Sequence, residues 1–155
     1  MSSAVEVRLE ELGLDLPPPL PAPRSRMKRL SRAGSLVYLS GNGPFRGSEL
    51  VYKGKLGTDL TVEQGREAAA LTALNMVRVL LEDGLDLDRI RWLKVLGMVS
   101  SHPSFVEQAA VMNGFSELIV DLFGEEHGLH ARSACGMAVM PWDMAVEIEA
   151  ICELV

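Results

Sequence analysis

Charged residues near the C-terminal end of the sequence have the types and spacing that small-molecule chemistry requires. Glu147 and Glu149 alternate with apolar residues, so a β-strand would place both carboxylates on one face, about 7 Å apart. Such a pair could act as the acid and base of a hydrolase, although a solvated or interface face is the commoner setting for it. Arg132 lies in another apolar segment. Its guanidinium could bind a ligand carboxylate through two hydrogen bonds, or pair with one of the glutamates across neighbouring strands.

The histidines and cysteines point to no further chemistry. His127 and His130 are close together in a glycine-containing segment, and His102 lies apart from them. Neither Cys135 nor Cys152 is placed to complete the closed nitrogen and sulfur ligand set of a structural zinc site. Both cysteines fall in apolar, strand-like segments, where a thiol behaves as a small hydrophobe, and no base is identifiable beside Cys135. The sequence therefore predicts no metal site and no cysteine nucleophile.

The composition narrows the class of protein. A chain of 155 residues with 48% hydrophobic and 23% charged residues suits one globular domain. Its formal net charge is -6, and an acidic surface repels phosphate backbones, so we predict no nucleic-acid partner. The N-terminal segment is acidic where a signal peptide would be apolar, and no apolar run approaches the length of a membrane span. These features predict a cytoplasmic protein that does not associate with membranes.

Proline and glycine signals divide the chain into an N-terminal arm and a core domain. Residues 1–16 have the pattern of a short amphipathic helix, with Val5, Leu9 and Leu12 on one face. The prolines that follow disfavour both a helix and a central strand, so we predict a helical and proline-rich arm over residues 1–26. The remaining residues, 27–155, are predicted to form the domain.

Capping signals mark two long helices in the predicted domain. Thr61 with Gln64 would begin the first helix, and Gly84 would end it in the left-handed conformation. The second helix would begin in the same way at Ser104 and end at Gly124. Apolar runs bounded by turn residues predict strands over residues 36–39, 90–100, 132–140 and 144–155, with a short hairpin in the glycine-rich loop 45–60.

The order of these elements predicts an α+β fold with a mixed sheet. Two helices can cover only one face of so wide a sheet. The last strand alternates apolar residues with Glu147, Glu149 and Glu153, which places the carboxylates on the other face. A polar face that is largely enclosed is typical of an oligomer interior or a ligand site.

Two segments of the sequence resemble the Rid family, also called YjgF-type or endoribonuclease L-PSP proteins. The family signature is an Ala-Arg-Ser start, an apolar strand, a Leu-Pro-like turn and a closing Val-Glu-Ile-Glu-Ala strand. Here it is matched by Ala131-Arg132-Ser133, by Met140-Pro141 and by Val146-Glu147-Ile148-Glu149-Ala150. Ser40-Gly41-Asn42-Gly43-Pro44 resembles the family's Ser-Gly-Gln-x-Pro turn. The resemblance extends over about residues 27–155 by element order and indicates a longer, divergent subgroup.

The resemblance implies both a fold and an activity. The fold is the chorismate-mutase-like one, a single domain with two helices on one sheet face, assembled as a homotrimer with ligand clefts between subunits. Active members hydrolyse enamines and imines such as 2-aminoacrylate to 2-keto acids and ammonia, without a metal or organic cofactor. By position, Arg132 would hold the substrate carboxylate and Glu147 would position the attacking water. The other residues implied to line the cleft are Ser40, Gly41, Asn42, Ser133, Ala134 and Cys135.

Two departures from the family pattern leave a second function open. Met27 stands where active members carry a pocket tyrosine, and Ala134 stands where a cysteine follows the Arg-Ser pair, with Cys135 one residue later. The alternative to a deaminase is a non-catalytic protein that binds or senses 2-keto acids and related small carboxylates. An endoribonuclease ranks last, because the chain is acidic and has few aromatic residues for stacking on bases.

Overall fold

The computed structural model describes residues 3–155, which form three α-helices and two sheets. The larger sheet is mixed: β5 and β6 run parallel, and its other neighbouring strands are antiparallel, in the order β1-β2-β7-β5-β6. A two-residue pair, β3 and β4, forms a separate hairpin. The helices are α1 (Ala4–Glu11), α2 (Val62–Glu82) and α3 (Gln108–Gly128). The strands are β1 (Leu30–Ala33), β2 (Leu36–Asn42), β3 (Phe45–Arg46), β4 (Glu49–Leu50), β5 (Ile90–Ser100), β6 (Ala131–Met137) and β7 (Val146–Leu154).

The predicted α+β architecture is confirmed, with α2 and α3 packed together over one face of the large sheet. The alternation predicted for the closing strand is also present. Val146, Ile148 and Ala150 are buried beneath the helices, whereas Glu147 and Glu149 point to the other face. The core is closed by Trp92, whose ring meets those of Phe115 and Phe123 edge to face, with centroids 5.6 and 5.7 Å apart.

The capping signals predicted one long helix correctly and the start of the other wrongly. Thr61 caps α2 and completes the expected box with Gln64. The start predicted at Ser104 is wrong, because α3 begins four residues later, at Gln108. Residues 105–107 are not helical, and the Ser104 hydroxyl lies 2.7 Å from His102 Nδ1 rather than bonding a helix N–H. The predicted end at Gly124 is a kink with φ 73°, beyond which helical turns continue to Gly128.

The two predicted C-terminal strands are shorter than their apolar runs. β6 ends at Met137 and β7 begins at Val146, because the residues between them form a turn that contains a short 3-10 helix over Pro141–Asp143. Trp142 and Asp143 adopt the left-handed conformation in that turn, with φ of 54° and 63°. Strand β1 was not predicted, since only Leu30 of its four residues is buried and the strand lacks apolar alternation.

The N-terminal helix packs into the same core as the rest of the chain. Ser3 caps α1, and Glu6 completes a capping box with it. Val5 and Leu9 join the main apolar cluster, whereas Leu12, predicted on the same face, is 38% exposed. The α1 helix contacts α3, and Arg8 donates from Nε to the carbonyl oxygen of Asp121 at 3.0 Å. The division between arm and domain at residue 26 stays a prediction.

Candidate functional site

Arg132 and Glu147 lie on opposite faces of the large sheet. Arg132 is the register partner of Val95, which is also the partner of Ala150, and both of these residues face the helices. Successive side chains of a strand alternate between the two faces of the sheet. Glu147 precedes Ala150 by three positions on β7, so its side chain points to the other face. Strand β5 also separates β6 from β7, which sets those two strands about 10 Å apart. Within one chain, the two residues therefore do not meet.

Three groups of α3 hold the guanidinium of Arg132. Nη1 donates to Asn113 Oδ1 at 3.1 Å and to Ser116 Oγ at 2.9 Å, and Nη2 donates to the carbonyl oxygen of Ala109 at 3.3 Å. The three acceptors follow one another at helical spacing, so they lie on one side of α3. All three are neutral, and neither Arg132 nor Glu147 belongs to any ion pair formed among residues 3–155. The alternative in which Arg132 pairs with a β7 glutamate is therefore wrong for the single chain.

One edge of this guanidinium remains available for a ligand. Nη1 makes two of these hydrogen bonds and Nη2 makes one, while Nε has no acceptor among residues 3–155. Nε and Nη2 form one of the guanidinium edges whose geometry matches a carboxylate. Burial lowers the pKa of Arg132 from its ordinary value, and the nearby carboxylate of Glu117 opposes that effect. A half-buried cation of this kind is stabilised by an anionic ligand.

His130 extends this network behind Arg132. Its Nε2 lies 3.0 Å from Ser116 Oγ, and its Nδ1 lies 2.7 Å from the carbonyl oxygen of Gly128. Burial lowers the pKa of His130, and the positive charges of Arg132 and Lys94 add to that effect, while the hydrogen bond to Gly128 opposes it. The ring is therefore neutral near pH 7.

These supporting residues were missed by the sequence analysis. His130 was weighed only as a metal ligand, and Asn113 and Ser116 drew no attention. One signal was present, since His130 stands two residues before Arg132, the spacing that places strand side chains on one face. Among residues 3–155, no three His, Cys, Asp or Glu side chains are gathered where they could bind a metal ion.

Close packing against Gly41 fixes the position of the Glu147 side chain. It lies half-buried on the second sheet face, where Gly41 of β2 approaches it. A Cβ atom added at Gly41 would stand 2.1 Å from Glu147 Oε1, so no other residue fits there without displacing the carboxylate. Burial raises the pKa of Glu147, and the negative charge of Glu149 raises it further. The carboxylate is thus a stronger base than an exposed glutamate, which favours general-base catalysis near neutral pH.

The polar side chains of the Ser-Gly turn beside Glu147 form hydrogen bonds with backbone carbonyl oxygens of the chain itself. Ser40 Oγ donates to the carbonyl oxygen of Lys28 at 2.7 Å, and Asn42 Nδ2 donates to the carbonyl oxygen of Ser40 at 2.8 Å. Asn75 of α2 fixes the end of the turn by donating to the carbonyl oxygens of Gly43 and Phe45, at 3.0 and 2.8 Å. What the turn can offer beside Glu147 is therefore chiefly the backbone of Gly41.

The remaining candidate residues divide between the two faces. Ala134 lies on the side of Arg132, since its register partner is the buried Gly97. Ser133 and Cys135 lie on the side of Glu147, and Cys135 forms a row across the face with Met98 and Glu147. Ser133 Oγ accepts a hydrogen bond from Lys94 Nζ at 2.8 Å. The candidate residues named from the sequence therefore form two groups on opposite faces of the sheet, a candidate arginine half-site and a candidate glutamate half-site.

The same fold and signature residues define a known family. The family described as "YjgF/chorismate_mutase-like, putative endoribonuclease" matches residues 6–154. The chain therefore belongs to this family, as its resemblance to Rid proteins predicted. The match begins inside α1, so it includes most of that helix. No helix formed by residues 3–155 is long and apolar enough to cross a membrane.

Full-length relatives are found in several organisms. Protein TCP17 of Trypanosoma cruzi is 40% identical over 154 residues, which cover 99% of this chain and 96% of that protein. The crystal structure of Atu1372 from Agrobacterium tumefaciens, a protein described as of unknown function, is 39% identical with a TM-score of 0.88, covering 98% of this chain and 93% of the other. A "putative endoribonuclease" from Shewanella oneidensis is 32% identical with a TM-score of 0.91, covering 99% and 100%.

A more distant structure shares the fold alone. Escherichia coli TdcF, solved with bound serine, is 21% identical with a TM-score of 0.62 and covers 88% of this chain and 94% of its own length. The structures with 39% and 32% identity cover 98% and 99% of this chain. This contrast agrees with a longer subgroup within the family.

Proposed function

We propose that the protein hydrolyses small enamines and imines that carry a carboxylate, releasing 2-keto acids and ammonia. The observation that carries this proposal is the guanidinium of Arg132, which is half-buried, fixed by neutral acceptors and left with an unpaired Nε on the edge that it shares with Nη2. A fixed planar fork orients a carboxylate in a way that a lysine cannot. The serine bound by TdcF, a protein with this fold, is also a small carboxylate.

The chemistry requires one carboxylate base besides the arginine. An enamine first gains a proton on carbon to become an iminium ion. Water then attacks the iminium carbon, forming a C–O bond and giving a proton to the Glu147 carboxylate. In the resulting carbinolamine, the nitrogen takes that proton back and the C–N bond breaks. Ammonia leaves, and the hydroxyl group gives its proton to the Glu147 carboxylate as the ketone forms. Since the iminium carbon is already electrophilic, one base is sufficient, and it is expected to contribute about 10²–10⁴-fold.

The proposed site is shared between two copies of the chain. Arg132 and Glu147 lie on opposite faces and on separated strands, so one substrate can contact both only if they come from different copies. The second sheet face supports such an assembly because it leaves Tyr38 and Met137 41% and 36% exposed. The homotrimer implied by the family resemblance would provide the required clefts between subunits.

One observation favours the alternative of a non-catalytic carboxylate-binding protein. The Arg132 half of the site is complete within one chain, whereas Glu147 has no partner for catalysis there. An arginine alone would bind a 2-keto acid without hydrolysing its imine. Endoribonuclease activity, the word in the family description, is the least supported, since the formal charge of -6 disfavours an RNA backbone.

An ammonia-release assay and a binding measurement together separate the deaminase from the carboxylate sensor. An amino-acid oxidase generates imino acids in solution, and ammonia release is followed with and without the protein. A deaminase accelerates the release, and Arg132→Ala abolishes the acceleration. Arg32→Ala is the matched control, because Arg32 is an exposed arginine paired with Asp83. Binding of 2-oxobutanoate without acceleration would favour the sensor, and the absence of both would contradict the proposed site.

A further inference from the structure

We infer that Asn113, Ser116 and His130 are positioning residues for the carboxylate-binding arginine, and that protonation of His130 releases Arg132 and weakens ligand binding. This inference rests on the proposed function of Arg132. It adds a control by pH, through residues that do not touch the substrate.

The directions of the hydrogen bonds are fixed by which groups can only donate or only accept. The Gly128 carbonyl oxygen can only accept, so the Nδ1 atom of His130, 2.7 Å away, must carry a proton. Arg132 Nη1 can only donate, so Ser116 Oγ, 2.9 Å away, must accept from it. The single proton of Ser116 is then free to reach Nε2 of His130, at 3.0 Å. In this arrangement, each group in the chain from Arg132 to Gly128 is satisfied.

Protonation of His130 breaks this arrangement at Ser116. Nε2 gains a hydrogen that points at Ser116 Oγ, so the hydroxyl oxygen would have to accept from His130 and from Arg132 together. Its own proton would lose its acceptor, which is costly for a half-buried hydroxyl. We expect the two cations that would meet at this one oxygen to repel each other, so that the hydrogen bond to Arg132 is lost. Asn113 and the Ala109 carbonyl alone would then hold the guanidinium.

The positive charges around His130 would also repel the protonated ring. Arg132 on β6 and Lys94 on β5 are both positive, and a third charge on the ring would be repelled by them. Glu117 on α3, whose carboxylate acts on Arg132, is already paired with Arg66. Since burial and these cations lower the pKa of His130, the change in binding is expected below pH ~6.5, the ordinary histidine value.

The geometry favours positioning over a nucleophilic role for Ser116. Its distance to His130 is that of a nucleophile and its base. However, Ser116 contacts Nη1 of Arg132, whereas the edge left for the ligand carries Nε and Nη2. The hydroxyl therefore lies behind the guanidinium as seen from the ligand, where it can orient Arg132 but cannot attack a bound substrate.

The test measures the affinity of the full-length protein for 2-oxobutanoate between pH 5 and pH 8. The wild-type dissociation constant should rise about tenfold on the acidic side, the effect of losing one hydrogen bond to a charged group. In His130→Gln this acidic rise should disappear, because the amide can donate to Gly128 and accept from Ser116 at every pH. Ser116→Ala should bind less tightly at pH 8 and should also lack the acidic rise. His102→Gln is the matched control, since His102 is exposed and bonded within its own turn.

A second measurement separates this inference from the proposed function. Nitrogen-15 NMR of the imidazole rings should show neutral His130 with its proton on Nδ1. A proton on Nε2, or an acidic rise that persists in His130→Gln, would overturn the inference. Tight binding that is unaffected by Arg132→Ala would overturn the proposed function instead, whatever the tautomer of His130.

Discussion

The two candidate half-sites of this chain, around Arg132 and around Glu147, are held in place by different contacts. Arg132 is held by hydrogen bonds that it donates to three residues of one helix, and a half-buried histidine supports that contact. Glu147 is held by the close approach of Gly41, on a sheet face that is partly open. Burial favours the neutral form of both side chains, because it lowers the pKa of Arg132 and raises the pKa of Glu147.

The difference suggests a division of labour between binding and catalysis. The arginine half is rigid and directional, as recognition of a planar carboxylate requires. The glutamate half is a base of raised pKa whose carboxylate packs directly against the backbone of Gly41. Changes on the arginine side should therefore alter affinity, and changes on the glutamate side should alter rate.

The largest effect is expected from Glu147→Gln. This change keeps the shape of the side chain but removes the base, so hydrolysis should fall by about 10²–10⁴-fold. The affinity for 2-oxobutanoate should stay nearly constant, because Arg132 makes the carboxylate contact in ground and transition states alike. Rates come from ammonia release and affinities from calorimetry. Glu149→Gln, on the same strand face, is the control. A parallel loss of affinity in Glu147→Gln would contradict the division of labour.

A large effect on affinity is expected from replacing Arg132. Arg132→Lys should weaken 2-oxobutanoate binding and hydrolysis by at least about tenfold, since one charge-assisted hydrogen bond is worth roughly 1.5–3 kcal/mol. Arg132→Ala should remove binding while the protein stays folded, because its α3 partners are neutral and half-buried. Unfolding of Arg132→Ala in a thermal melt would show that the arginine serves the fold rather than a ligand.

A smaller loss of rate is expected from Gly41→Ala. The added methyl group would stand 2.1 Å from Glu147 Oε1 and force the carboxylate to move. Hydrolysis should fall by about tenfold or more, the scale of a misplaced catalytic group, with affinity retained. A double-mutant cycle provides the control, because Gly41→Ala should add nothing once Glu147 is alanine. Additive losses in the double variant would place the effect of Gly41 elsewhere.

The smallest effect concerns stability. Folding raises the pKa of the Glu147 carboxyl group. Its contribution to the free energy of unfolding is therefore fully present below the pKa of the unfolded chain, and it is lost as the pH rises through the pKa of the folded protein. Glu147→Gln should therefore raise the free energy of unfolding at pH 7, by about 1 kcal/mol or less since solvent screens a half-exposed group. The gain should vanish near pH ~4. Urea titrations at both values measure it, and a less stable variant at pH 7 would refute this view of Glu147.

Local signals in the sequence were sufficient for much of the fold. The alternation around Glu147 predicted a strand with carboxylates on one face, and Thr61 and Gly84 delimited α2. The predicted start of α3 at Ser104 was wrong because the observed helix begins after Glu107, which makes no side-chain cap hydrogen bond that a sequence pattern could reveal.

The arrangement of the site depended on contacts between distant segments. Arg132 and Glu147 were both named from the sequence, but their opposite faces follow from the register of β6, β5 and β7. Asn113 and Ser116 have the spacing of any helix face. They became identifiable only when α3 was seen to lie against Arg132.

Subunit mixing tests most directly whether one catalytic site draws Arg132 and Glu147 from two copies. Arg132→Ala and Glu147→Gln proteins, each checked by light scattering for about three times the chain mass of 16.9 kDa, are combined in equal amounts and allowed to exchange subunits. In randomly mixed trimers, roughly a quarter of the shared sites would regain both residues, so activity should return to about a quarter of the wild-type value. A mixture no more active than the average of the two variants, despite demonstrated exchange, would contradict the shared site.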